Sequence, residues 1–223
     1  MHRYQILMEY VGTNFYGWQY QKKQITIQGT VEKVLKKILK EKVKLYGSGR
    51  TDSKVHAIEQ SAHFDVKNKI NNIKKFFNTL NFFLNGNFIT VVKIKKRPLT
   101  FHARYSAKKR IYKYLIHNRE SLPSIERNRG WYVRKKLDYK LIKKASHFLK
   151  GTHDLSVFRA SNCSASSPIR TIDSLIIKKN NDIIEIKIKS RSFLKQQVRS
   201  IVGCLKYVGE KKWTINKFKK VLK

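Results

Sequence analysis

Between Tyr46 and Asp65 the chain reads YGSGRTDSKVHAIEQSAHFD. Two glycines, an arginine, a threonine and one carboxylate fall within Gly47–Asp52. Glycines at 47 and 49 permit a sharp backbone turn that side chains would obstruct. Such a turn presents Arg50 and Asp52 at the tip of a rigid element. Asp52 stands out because the chain has only 14 acidic residues against 50 basic ones. A carboxylate flanked by Arg50 and Lys54 has the makings of a nucleophile or a base. Glycine and aspartate are also ordinary turn residues, and on spacing alone that plainer role is the commoner one. A metal-dependent nuclease or nucleotidyltransferase would need clustered carboxylates. Asp52 has none in Tyr46–Thr51 and only Glu59 close after it.

The elements that must position this loop follow from hydrophobic periodicity. Tyr4, Ile6, Met8 and Tyr10 alternate as a strand. Thr26 can cap a helix whose apolar face is Ile27, Val31, Val34, Leu35, Ile38 and Leu39. Strand-like Val43–Tyr46 leads into the loop, and His63–Val66 reads as a further strand. Ile70, Ile73, Phe77, Leu80 and Leu84 recur at helical spacing, closed by Asn85-Gly86-Asn87. Phe88–Ile94 is again strand-like. The first half thus reads β-α-β-β-α-β, the ferredoxin-like arrangement.

The second half repeats the plan imperfectly. Arg110–His117 alternates with Tyr112, Tyr114 and Ile116 on one face. Asp138 can cap a helix with Leu141, Ala145, Phe148 and Leu149 inward, closed by Gly151. Ile172–Ile177 and Ile183–Lys189 flank a hairpin turn at Asn180-Asn181. A last helix carries Leu194, Val198, Ile201, Leu205 and Val208 on one face. With Lys195 and Arg199 four apart, another face of that helix is expected to be basic.

Several stretches together resemble one family. Gly49-Arg50-Thr51-Asp52, Val55-His56-Ala57, Gln60, Ala62, His63 and Phe64 are similar to the signature of the tRNA pseudouridine synthase A family, usually GRTDAGVHA at its start. Ser53-Lys54 stands here for Ala-Gly. Tyr10–Gln19 resembles the family's Y-D-G-x-x-Y-x-G-W-Q, with Val11 for Asp. Phe101-His102-Ala103-Arg104, Ser106-Ala107 and Arg110-x-Tyr112-x-Tyr114 resemble its F-H-A-R-x-S-A and R-x-Y-x-Y segments. Phe193-Leu194, Val198-Arg199 and Ile201-Val202-Gly203 resemble F-L-x-x-M-V-R-x-I-V-G, with Gln197 for Met. Phe158–Ser161, Cys163 and Ser167–Ile172 match a segment read as a loop bordering the cleft, suited to phosphate contacts. Family members continue into an A-P-x-x-G-L-x-L strand that does not follow the last helix here.

The resemblance implies an α+β fold of two ferredoxin-like (RRM-like) subdomains, residues 1–97 and 98–223, sharing a central, mostly antiparallel sheet with a basic cleft. It implies isomerisation of uridine in the anticodon stem-loop of tRNA (tRNA positions 38–40), by a homodimer needing no cofactor and no metal. Asp52 would be the catalytic nucleophile, Arg50 would stabilise the flipped nucleotide, Tyr112 would stack on the target base, and Arg199 would pair with Asp52. Lys195 and Arg170 would contact the substrate. Tyrosines alternating on a strand also pack as sheet face without any such role. A non-catalytic RNA-binding protein derived from the same fold is the alternative, against which the retained Asp52, Tyr112 and Arg199 argue.

Composition agrees. The 223-residue chain is 41% hydrophobic, enough for a real core, and carries a formal charge of +36. That field attracts polyanions, nucleic acid first and an anionic membrane surface second. No run of 18 apolar residues offers a membrane span. The start, MHRYQILMEYVG, lacks the apolar core of a signal peptide. Cys163 and Cys204 and the seven histidines have neither disulfide-framework nor metal-ligand spacing. A cytoplasmic protein is expected.

Overall fold

The computed structural model describes residues 1–222, which form two compact units, Met1–Ala107 and a second beginning at Lys108. The first unit runs β1 (His2–Tyr10), α1 (Ile27–Leu39), β2 (Tyr46–Gly47), β3 (Ala57–Val66), α2 (Ile73–Leu84) and β4 (Ile89–Arg97). Its strands pair antiparallel in the order β2-β3-β1-β4. Tyr4, Ile6, Met8 and Tyr10 all point inward, as their alternation requires. Tyr4 lies opposite Phe64 with ring centroids 5.9 Å apart. Val31 and Leu35 of α1 and Leu80 and Leu84 of α2 complete this core. Each such buried side chain is worth roughly 1.5–3 kcal/mol.

Both helices start on side-chain caps. Thr26 Oγ1 accepts the Gly29 N–H at 3.3 Å, and Asn72 Oδ1 accepts the Lys75 N–H at 2.8 Å. In α2 the buried stripe is Phe76, Leu80 and Leu84 rather than one through Phe77, which is half-buried. Those three lie at successive four-residue steps, so they share one face.

The second unit runs β5 (Arg110–His117), β6 (Trp131–Tyr132), α3 (Tyr139–Ser146), β7 (Gly151–Asp154), β8 (Ile169–Asn180), β9 (Ile183–Ser190), α4 (Gln197–Gly209) and α5 (Ile215–Leu222). The strand order is β6-β5-β9-β8-β7. All ladders are antiparallel except that of β5 with β6. Ile184, Ile186 and Ile188 bury one face of β9 together with Ile201, Val202, Leu205 and Val208 of α4 and Phe218 of α5. Asp138 Oδ1 caps α3 through the Leu141 N–H (3.1 Å). Ile142 rather than Phe148 joins Ala145 and Leu149 in the core.

Four further expectations change. The ladders close within each unit, giving a four-stranded and a five-stranded sheet rather than one sheet shared by both halves. The hairpin turn falls at Asn181-Asp182, with Asn181 at φ 49°. The first unit does not stop at Arg97. Arg3 donates to the carbonyls of Leu99 (2.6 Å) and Phe101 (2.5 Å), and the buried Ala103 donates its N–H to His63 Nδ1 (3.1 Å). Residues 98–107 are thereby fastened to the first sheet. Finally, α4 starts at Gln197, so Leu194 and Lys195 precede it. Gln196 sits in the left-handed region (φ 61°), which blocks the helix from extending backwards.

Among the described residues no helix is long and apolar enough to cross a membrane.

Candidate active site

The Asp52 loop, residues 48–56, is fixed at its ends and along its length. At the start, the Ser48 N–H donates to Ser61 O (2.8 Å) and the buried Gln60 amide donates to Gly49 O (2.5 Å). In the middle, the Thr51 and Tyr10 hydroxyls share a hydrogen bond of 2.8 Å. The Val55 N–H closes a tight turn onto Asp52 O at 3.2 Å.

The segment 12–18 forms the wall behind the loop. The Trp18 N–H donates to Thr51 O (3.0 Å), while Phe15 O accepts from the Lys54 N–H (3.3 Å) and from Ser53 Oγ (3.2 Å). The Gly12 N–H donates to His56 Nδ1 at 3.3 Å. Two glycines make this approach possible. A Cβ at Gly12 would lie 2.1 Å from Val55 O. At Gly17, which also has φ 88°, it would lie 2.8 Å from Thr51 O. The sequence shows Tyr10, Gly12, Gly17 and Gln60 as motif letters, but their work as the loop's clamp emerges only in three dimensions. Within this frame Arg50 is exposed at the tip and Asp52 is half-buried.

The second unit holds the other candidates. Tyr112, half-buried on β5, meets the Phe193 ring edge-on at 5.0 Å. Tyr114 lies two residues along the same face, where burial pushes its hydroxyl pKa up and the nearby Arg199 guanidinium works against that rise. Arg199, exposed in the first turn of α4, therefore gathers with Tyr114 beside the pair Tyr112 and Phe193.

The entry to α4 is itself pinned. Gln197 is fully buried, and its Oε1 accepts the Leu194 N–H at 2.7 Å. Lys195 exchanges backbone bonds with the 158–168 loop: its N–H meets Cys163 Sγ (3.4 Å), and its carbonyl accepts the Ala160 N–H (3.1 Å). The Lys195 N–H, with help from that of Ala165 and from Arg159 and Arg170, holds the Cys163 thiol below its usual pKa. Arg170 donates through Nη1 to Ser167 O (2.8 Å) and Ile169 O (2.6 Å), so part of its guanidinium shapes the loop. Lys195 is exposed but does not share a helix face with Arg199.

Each unit thus offers a preformed set: Arg50 and Asp52 in the first, Tyr112, Arg170, Lys195 and Arg199 in the second. A carboxylate on a fixed backbone suits nucleophilic chemistry, aromatic rings suit a planar base, and the arginines and lysine suit phosphates. Among the described residues no group of three or more His, Cys, Asp or Glu side chains converges as a metal site would require.

Residues 6–106 and 145–223 match the sequence model of a family described as tRNA pseudouridine synthase. The chain is 58% identical over all 223 of its residues to a protein named tRNA pseudouridine synthase A from Pelagibacter ubique, covering 91% of that protein. It is 46% identical over 209 residues to one of the same name from Thermoanaerobacter sp., with 94% of this chain and 85% of that one aligned. A third so named, from Sinorhizobium medicae, is 40% identical over 216 residues, spanning 96% of this chain and 87% of its own length.

Proposed function

The chain belongs to the tRNA pseudouridine synthase family, and we propose that it isomerises uridines on the 3′ side of the anticodon stem-loop, with Asp52 as the nucleophile. The observation that carries this reading is the clamped loop. A carboxylate stands between Arg50 and Lys54 on a backbone fixed by Tyr10, Phe15, Trp18 and Gln60. Pre-set geometry of that kind spares the reaction the cost of ordering the attacking group.

A target base in structured RNA must leave its stack before any atom of it can be reached. Arg50, at the exposed tip, takes the role of holding the nucleotide in its flipped state. Asp52 forms a transient covalent bond to the nucleotide, and the bond between C1′ and N1 of uracil breaks. The base turns and re-forms the link from C1′ to its C5. The C5 proton is lost and N1 ends protonated, so the product is an isomer and no cofactor enters the balance. The family motif assigns Tyr112 to the face of the base and Arg199 to the Asp52 carboxylate, where an arginine makes charge-assisted hydrogen bonds. Lys195 and Arg170 are assigned to the RNA backbone.

The β2-β3-β1-β4 order of the first unit supports reading it as ferredoxin-like. By the same resemblance two copies pair as a homodimer, each presenting a basic cleft to tRNA.

An unmodified tRNA transcript, incubated with the protein and mapped chemically for pseudouridine, tests the proposal. Wild type is expected to modify the anticodon arm and Asp52→Ala to leave it unmodified. Modification by the variant would remove Asp52 as nucleophile, and modification elsewhere would remove the stem-loop. Tight binding by both with no product would favour a non-catalytic RNA binder.

A further inference from the structure

On the sheet face turned away from α1 and α2, four rings touch in series. His63 forms the floor, opposite Gln5 and Tyr46 in the ladders and 1% exposed. Tyr46 stacks on it with centroids 5.0 Å apart and planes at 16°. His102 meets His63 at 4.7 Å and 66°, and Tyr105 packs on His102 at 4.4 Å and 35°. Cations sit at both ends: the Lys44 ammonium 5.3 Å from the Tyr46 ring and the Arg104 guanidinium 5.8 Å from that of Tyr105. The same face carries Lys93 and Lys95 on β4, both exposed.

Only the inner part of this ladder is needed to hold residues 98–107. His63 Nδ1 accepts the Ala103 N–H, and Phe101 lies edge-on to His63 at 6.0 Å. Tyr105 lies outside that packing with 75% of its surface exposed, and Tyr46 keeps 38%. Aromatic rings left in water beside exposed cations form a patch suited to a partner with a flat π face and negative charge. A nucleotide has both. Tyr46 and Gly47 point to opposite sides of β2, and Gly47 lies against Trp18 in the wall behind the Asp52 loop. The ladder is therefore separate from the loop's own support.

We infer that this ladder is a second RNA-docking surface, on which an unpaired nucleobase of the tRNA stacks against Tyr105 while Lys44 and Arg104 meet the adjoining phosphates. The inference rests on the tRNA reading above. Stacking on an aromatic side chain is tolerant of base identity, because every base has a π face. His63 supports the arrangement from below. Burial, then Arg3 and His102, push its pKa down to about 4, so the floor stays uncharged near neutral pH.

The test compares wild type, Tyr105→Ala, Tyr105→Phe and Lys44→Gln for binding of an unmodified tRNA transcript across a salt series, with pseudouridine yield at saturating tRNA. Tyr105→Ala is expected to weaken binding about 5- to 150-fold, the range for one stacked base, with the salt slope unchanged. Tyr105→Phe should bind within about twofold of wild type, since it keeps the ring. Lys44→Gln should lower the salt slope by about 1. Yield at saturation should be unaltered in all three. Because Tyr105 is exposed, its truncation should leave the melting temperature in place. Undiminished binding by Tyr105→Ala, or equal losses for Ala and Phe, would overturn the proposal. If wild type makes no pseudouridine and Tyr105→Ala still loses affinity, the catalytic reading fails and the docking surface stands.

Discussion

Lys54 holds φ at 65° two residues after Asp52, at a position where the motif it resembles carries glycine. A side chain in the left-handed region costs roughly 1–2 kcal/mol, and the Lys54 N–H is tied to Phe15 O, so the backbone cannot relax without giving up the clamp. The Ser53-Lys54 departure was legible in the sequence. That the backbone keeps the glycine-like conformation regardless was not, because neighbours distant in sequence impose it. Lys54→Gly should relieve that strain, offset in part by the greater freedom of glycine in the unfolded chain. The net expectation is a gain of about 0.5–1 kcal/mol in urea unfolding, with no gain for Lys54→Ala, whose Cβ meets the same restriction. Equal stability of all three proteins would show that Lys54 carries no strain.

The elements were readable where one physical signal decided them. Period-two alternation gave β1 and β5, and capping residues at Thr26 and Asp138 mark helix starts that the structure keeps. The misses have local causes. Two-residue β6 and four-residue β7 are too short to show alternation. In α5, Ile215, Phe218 and Leu222 do recur at helical spacing behind Thr214, which caps Lys217 (3.1 Å), but over only two turns. The start of α4 was misread because apolar Leu194 continues the helical stripe while Gln196 has already left the helix. The attachment of residues 98–107 to β3 was invisible for another reason: it depends on an imidazole acting as a buried acceptor.

That attachment predicts a pH dependence. Folded His63 titrates at about 4, below the 6.5 of a free imidazole. Between those values the unfolded chain takes up a proton that the folded chain refuses. The contribution of neutral His63 is therefore complete above pH 6.5 and is lost as pH falls toward 4. It amounts to something on the order of 3 kcal/mol across the window. Urea unfolding at pH 7 and pH 4.5 should show wild type losing about 2 kcal/mol more than His63→Asn, which keeps an acceptor for Ala103 and does not titrate. Identical losses would mean that His63 is not what ties the segment down at neutral pH.

At the scale of the whole molecule, the sequence allowed two α+β halves and an excess of 36 positive charges, and left open whether lysine coated the surface evenly. The first sheet answers part of that. Its helix-covered face is built from Tyr4, Ile6 and Met8, while its open face carries Lys93, Lys95 and Arg97 beside an Arg3 already paired with Asp65 (2.7 Å). A basic sheet face, exposed arginines at the Asp52 loop and at α4, and the exposed Lys195 all suit a partner with an extended phosphate backbone. Each phosphate neutralised releases condensed counterions, so affinity falls with added salt in proportion to the number of contacts. A protein touching six to ten phosphates loses roughly 10³–10⁵ in affinity between about 50 and 200 mM salt. Asp52→Ala, which on the proposed mechanism should bind without turnover, should lose at least ~10²-fold for unmodified tRNA over that range. A loss below about tenfold would mean that most of this charge faces away from the RNA, and that base contacts rather than the basic surface set the affinity.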